Sequence, residues 1–440
     1  MVVKMNNDAN FHIEDLLDKY GKFSLKFSPT NHIYLPSLSS IASKLGISTK
    51  FIDISKFVEK TYGENLGISK SSKYHVSDKS VSINITRTIA DWYQKSRPKS
   101  HQEVITFKKE LSKIPTPVLS LIVRTQDIDP VPIEWLVAIH GLSISMKKHQ
   151  ELEIYNLLLS FILLRIESYC EYLLSSVEVD SIQITNVNDI SVGTLLDYKL
   201  WTQHSQAPTA QLDLISYILK DSHNSSDLSN FKIQSLHLAN LYKIFDFHLH
   251  FIAHYEVCLL NIMIDTPPSK SILARSIKEY STYSDPIENK FKRTLFGAML
   301  KVLTEELSTG EKINNSDGWR KLASFIDIKS KGSVEPLNDR QYEQIKDWRI
   351  GKNLPSQDKL EIFVDNYCNH ADRLDMITIM NYFKLINLLE EQGAEVLSTS
   401  GAEDATRIEI KKVLSRYPIY YKKCLEDNLK NQSPKQSHST

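Results

Sequence analysis

Glycine is the residue this chain does almost without: 13 occur in 440 residues, about 3%, against a usual share of roughly 7%. Tight turns, phosphate-cradling loops and bulges need positive φ, which glycine alone adopts without steric cost. A chain this poor in glycine cannot spend it on dinucleotide-binding domains, barrels or propellers. Helix interiors disfavour glycine by about 1 kcal/mol relative to alanine, so the same scarcity favours helices. The expected fold class is therefore mainly α.

The length suggests two or three domains with ample core. Apolar residues recur at three- and four-residue spacing from Phe11 to about Gly67, at Ile13, Leu16, Ile41, Leu45, Phe51, Ile54 and Val58. Residues 1–68 read as an N-terminal helical unit, and the Ser- and Lys-rich segment 69–82 as a linker. Residues 83–310 read as a central helical bundle. Within it, Ile133–Met146, Glu151–Val177, Phe231–Ile264 and Asn289–Leu307 are apolar on more than one face. Residues 318–430 form a C-terminal helical region with more charge, followed by a polar tail at 431–440, expected to be disordered. Val118–Val123 and Ile182–Val187 are the two strand-like runs.

Lys+Arg and Asp+Glu number 53 each, which excludes a broadly basic coat but not a local basic patch. Cys170, Cys258, Cys368 and Cys424 are far apart and form no CxxC pair, as suits reduced thiols in a cytoplasm. No secretory leader is visible at Met1–Asp8, and the most apolar runs, Ile154–Leu164 and Leu249–Ile264, are too short to cross a membrane.

The most specific motif is the run Ile345-Lys346-Asp347-Trp348-Arg349-Ile350-Gly351-Lys352-Asn353-Leu354-Pro355-Ser356, followed by Leu360. Ile345 and Trp348 share a helical face. Gly351 suits a left-handed C-cap, and Pro355 and Ser356 suit the start of the next helix. The run resembles the recognition helix and following turn of the phage-repressor (Cro/XRE-type) helix-turn-helix family. That resemblance covers residues 345–360. It implies double-stranded DNA as partner, with Lys352 and Asn353 near phosphates. The family's small residue of the scanning helix and its turn glycine fall here on Glu335 and Asp339, and the groove-facing positions on Tyr342, Glu343 and Asp347. Arg340, Gln341, Gln344, Lys346 and Arg349 are the remaining candidates for DNA contact on this helix.

A generic helix-turn-helix pattern also spans 38–57, in the run Ile41 to Ser48 and Ile52: Ala42 is small enough for close helix crossing, Gly46 makes the turn, Ile47 and Ile52 point inward, and Thr49, Lys50, Ser55 and Lys56 form the polar face. The expected architecture is thus a multi-helix bundle with helix-turn-helix-like units near the N-terminus and in the C-terminal region. A third basic element runs from Arg407 to Lys423. It holds Arg407, Lys411, Lys412, Arg416, Lys422 and Lys423 against Glu409, with Tyr417, Tyr420 and Tyr421 interleaved. Cations beside aromatic faces suit a nucleic-acid backbone and unstacked bases, and equally a solvated helix face with packed tyrosines.

Asp246, His250, His254 and Cys258 recur every four residues and share one helical stripe, with His237 and His248 nearby. Imidazole, carboxylate and thiolate are ligands for zinc or iron. Four groups at this spacing extend about 18 Å at 1.5 Å per residue, so one ion could use two neighbours, such as His250 and His254, plus a ligand from another helix. A hydrogen-bonded polar seam in the core is the competing account. Gly63, Gly67, Lys70 and Ser71 lack phosphate-loop spacing, and Asp127-x-Asp129 is a slight metal candidate.

No nucleophile elbow, His-Glu-x-x-His or dinucleotide fingerprint is present, and no cofactor is implied. The expected function is non-catalytic DNA binding by a bacterial, phage or mobile-element regulator or accessory factor, with a homodimer or protein partner suited to symmetric sites. The alternatives are a helical adaptor or scaffold subunit, and a metal-dependent enzyme using the His250/His254 seam.

Overall fold

A computed structural model describes residues 34–44, 48–50, 53, 56, 59, 74–75, 115–118, 120, 131–139, 156–180, 200–209, 212–213, 230–260, 271–282, 294–308, 315–328, 335–368, 373–399 and 403–432. Among these residues the chain is helical. The one strand-type pairing is an isolated antiparallel bridge between Lys50 and His75, so a mainly α fold is what the sequence forms. No described helix is long and apolar enough to cross a membrane.

Eleven helices carry the argument: α1 (Leu38–Lys44), α2 (Asn156–Asp180), α3 (Asn230–Leu260), α4 (Ile272–Thr282), α5 (Leu295–Ser308), α6 (Asn315–Ala323), α7 (Leu337–Arg349), α8 (Gln357–Cys368), α9 (Arg373–Thr399), α10 (Glu403–Leu414) and α11 (Tyr417–Gln432). The strand-like run at 118–123 is corrected where it is described: residues 116–118 and 120 are helical, and Val118 is buried. Pro117 sits in the first turn, where its missing N–H costs nothing, so β-branched composition is outweighed. The 182–187 run, Gly46, Ile47, Ile52, the Gly63–Ser71 cluster and Asp127–Asp129 lie outside the described residues.

α3 is the central helix among the described residues. From Leu241 to His250 every side chain is buried, as its apolar residues on more than one face require. It packs against α2, α9, α10 and α11, so helices on both sides of residues 310–318 share one core. Residues 34–44 join that core as well: Trp135 donates its indole N–H to the Pro36 carbonyl at 2.8 Å, and Tyr34 meets Trp201 edge-on at 5.3 Å between centroids.

A second packing group gathers α5, α6, α7, α8 and α9. Trp348 of α7 stands edge-on to Phe363 of α8 at 5.4 Å and to Phe296 of α5 at 6.5 Å. The approach of α5 to α7 depends on Gly297, since a Cβ there would lie 2.1 Å from the Arg349 carbonyl oxygen.

Candidate functional site

The α7–α8 corner is built by local sequence. Asp339 lies in the first turn of α7, and Lys346 and Arg349 in its last, each charge complementing the helix dipole. The helix ends in a Schellman motif. The Gly351 N–H donates to the Trp348 carbonyl at 3.1 Å and the Lys352 N–H to the Asp347 carbonyl at 3.0 Å, while Gly351 takes φ +72°. Ser356 then holds the N-cap position of α8, its carbonyl accepting the Leu360 N–H at 2.9 Å. Ile345, Trp348 and Leu360 are buried beneath this turn.

Upstream the geometry departs from a compact repressor unit. Glu335 is exposed just before α7, and Asp339 is already helical, where the family places its interhelical turn. Among the described residues the helix before α7 is α6, which ends at Ala323, and residues 324–328 continue from it without helix. Gln341 of α7 and Asn366 of α8 anchor residues 324–326. Gln341 Nε2 donates to the carbonyls of Ile326 at 2.6 Å and Ser324 at 3.3 Å, and Asn366 to that of Phe325 at 2.9 Å.

The candidate contact residues of α7 separate by what they already do. Gln341 is buried and committed to the backbone, so it leaves the outer face. The Arg349 guanidinium lies 5.3 Å from the Trp319 ring. Tyr342 sits between Arg320 and Lys346, at 4.8 and 4.7 Å from its ring centre. The acids of the face are each answered by a cation: Glu343 by Lys346 at 2.6 Å, Asp339 by Arg320 at 3.3 Å, and Asp347 by Lys352 at 3.8 Å. Asn353 also donates to Asp347 at 2.9 Å. Arg340 and Gln344 are half-buried, whereas Lys352 and Asn353 are exposed beyond the turn, with the Lys352 side chain 68% accessible.

The Arg407–Lys423 element is corrected in its aromatic part. Tyr417, Tyr420 and Tyr421 are fully buried and offer no stacking face. Arg416 donates to the Gln206 carbonyl at 3.1 Å and lies 5.6 Å from the Tyr242 ring, while Lys411 lies over Tyr280 at 4.9 Å. Lys412 is exposed; Lys422 and Lys423 pair with Glu426 and Asp427 one turn on. In the N-terminal unit Ile41 and Ala42 are buried, Ser37 Oγ accepts the Ser40 N–H at 3.1 Å, and Lys50 and Lys56 are exposed.

The stripe on α3 faces other helices throughout. Asp246 accepts from Arg165 of α2, from Tyr420 Oη of α11 at 2.7 Å and from the Gln206 N–H at 2.9 Å. Burial, the largest single influence, works against the Arg165 charge, but Asp246 together with Tyr34 and Tyr420 outweighs it and raises the guanidinium pKa. The same guanidinium lies 4.4 Å from the Tyr34 ring and 3.4 Å from Nδ1 of His250. Burial, then neighbouring His254 and Arg165, hold the His250 pKa well below its ordinary value, and burial brings His254 down to about 4. Both imidazoles are neutral at pH 7.

One residue that sequence reasoning missed completes this seam. Cys424 of α11 brings its sulfur 3.1 Å from Nδ1 and 3.6 Å from Nε2 of His254. Cys258, the stripe's own thiol, is also buried, which pushes its pKa up to about 12. The signal for Cys424 was its spacing behind Tyr417, Tyr420 and Tyr421, a three-to-four-residue period that marks the buried face of α11. Family models, curated proteins and solved structures contain no match to this chain.

Proposed function

We propose that this chain is a non-catalytic DNA-binding protein, of the regulator or accessory type found in bacteria, phages and mobile elements, which contacts duplex phosphates at the α7–α8 corner. The observation that carries this reading is the corner itself. A buried Ile345–Trp348–Leu360 base and a glycine-capped helix end project Lys352 and Asn353 into solvent. Lys346 and Arg340 lie along the same helix. The pairing of Asp339, Glu343 and Asp347 with cations lowers the repulsion these acids would otherwise exert on a phosphate backbone. Gln341, Arg349, Lys411 and Arg416 are engaged inside the protein and take no part in reading. Exposed Lys412 is a second phosphate candidate on α10.

The test is binding of a fluorescent duplex by the full chain, followed by anisotropy. Losing one phosphate contact at about 0.1 M salt weakens binding about tenfold, and Lys352→Glu is expected to cost at least that. Equal affinity for the wild type and this variant would move the contact elsewhere. A second reading, a helical adaptor, draws on the same ion pairs: a face whose charges are already matched suits a protein partner. Absence of any duplex binding at low salt would favour it.

A further inference from the structure

The trio formed by His250, His254 and Cys424 is independent of the DNA reading. His250 and His254 stand one turn apart on α3, and Cys424 reaches them from α11. A nitrogen of each imidazole and the sulfur all lie within 4.8 Å of one another, and all three residues are buried. Convergence of three soft donors from two helices is the arrangement that the stripe alone could not supply.

Orientation shows what binding has to move. His254 donates its Nδ1–H to the His250 carbonyl at 2.8 Å, which leaves the lone pair on Nε2. Ligating histidines commonly hold their other nitrogen by such a bond to a backbone carbonyl. That Nε2 is 3.6 Å from Cys424 Sγ. A tetrahedral ion with bonds of about 2.0 Å to nitrogen and about 2.3 Å to sulfur separates the two donors by about 3.5 Å. The 3.6 Å separation matches that length, but the sulfur lies nearer Nδ1, at 3.1 Å, so the imidazole or the thiol must turn on binding to bring the Nε2 lone pair and the sulfur to one ion. His250 presents Nε2 as its Nδ1–H tautomer when Arg165 gives up its long 3.4 Å contact and keeps its pairing with Asp246.

We propose that His250, His254 and Cys424 bind one divalent zinc-class cation that ties α11 to α3. Two imidazoles and a thiolate match zinc in softness and geometry, and three protein ligands leave a fourth position for water. On binding, the Cys424 thiol loses its proton to solvent as the metal–sulfur bond forms, so one proton leaves per ion.

The experiment strips the full-length chain with chelator and titrates it with zinc(II) against a chromophoric competitor. Cobalt(II) serves in parallel as a spectroscopic probe. The expected result is one ion per chain, with Cys424→Ser and His254→Gln each weakening binding at least about tenfold. Cys258→Ala, on the same stripe but outside the trio, keeps the stoichiometry. The cobalt form of the wild type should show a thiolate-to-cobalt charge-transfer band that Cys258→Ala retains and Cys424→Ser loses. No zinc uptake, unchanged affinity in Cys424→Ser, or a wild-type cobalt spectrum without a thiolate band would each overturn the proposal. The wild-type spectrum decides the matter even if a variant fails to fold.

Discussion

Two glycines that look alike in the sequence sit in opposite circumstances. Gly297 faces the Arg349 carbonyl, where an added Cβ would come within 2.1 Å of the oxygen, whereas Gly393 on α9 has open space around it. Gly297→Ala is expected to destabilise by about 1–3 kcal/mol through forced backbone displacement. Gly393→Ala should stabilise by up to about 1 kcal/mol through helix propensity. Urea denaturation of both variants checks the contrast. A third residue, Glu409, contributes to the pH dependence of stability. Burial raises its carboxyl to about 7, with Lys412 opposing. The folded chain therefore keeps a proton that the unfolded chain loses above its ordinary value of 4.5, and stability from this group falls as pH rises from there to about 7. Glu409→Gln should raise the melting temperature at pH 8 and leave it unchanged at pH 4. Calorimetry at the two pH values measures this.

At the scale of elements, α2, α3 and α11 are joined through one carboxylate. Asp246 takes donors from Arg165 and Tyr420, and Arg165 is itself 1% exposed. Asp246→Ala would leave that guanidinium buried and unpaired, and is expected to cost about 3–5 kcal/mol. Replacing both partners, as Arg165→Met with Asp246→Leu, should recover much of it. A denaturant series on the single and double variants measures the difference. This network also shows how far the sequence could be read. The 3.6-residue period exposes α2, α3 and α5 because their apolar spacing is local. The α7 terminus was legible because a Schellman motif needs only Gly351 and the residues before it. Arg165 and Cys424 were not legible as site residues, since their partners lie 81 and 170 positions away and only packing brings them together. Tyr417, Tyr420 and Tyr421 misled in the same way: interleaving with cations suggests a stacking surface, while tertiary packing makes their rings core. Gln341 and Arg416 look like free polar groups in sequence and prove to be bonded to distant backbone carbonyls.

For the whole molecule, α3 packs against α2 and against α9, α10 and α11, and the α7–α8 corner leans on α5 through Gly297 and Thr294. Thr294 Oγ1 donates to the Arg349 carbonyl at 3.5 Å and caps α5 by accepting the Gly297 N–H at 2.9 Å. Glu390 of α9, whose pKa burial raises, accepts the Leu295 N–H at 2.6 Å at the same helix start. The exposed Lys352 thus follows a helix end that is hydrogen-bonded to and packed against α5 where α7 ends. Such an attachment suits a contact that positions a helix on a duplex, because the orientation of the corner is set by the core. The most direct test is the salt dependence of duplex binding by the wild type and by Lys352→Gln. The logarithm of affinity should fall linearly with the logarithm of salt concentration, and the variant's slope should be shallower by about 0.9, the loss of one phosphate contact. Equal slopes for the two proteins, or wild-type affinity that does not change with salt, would contradict it.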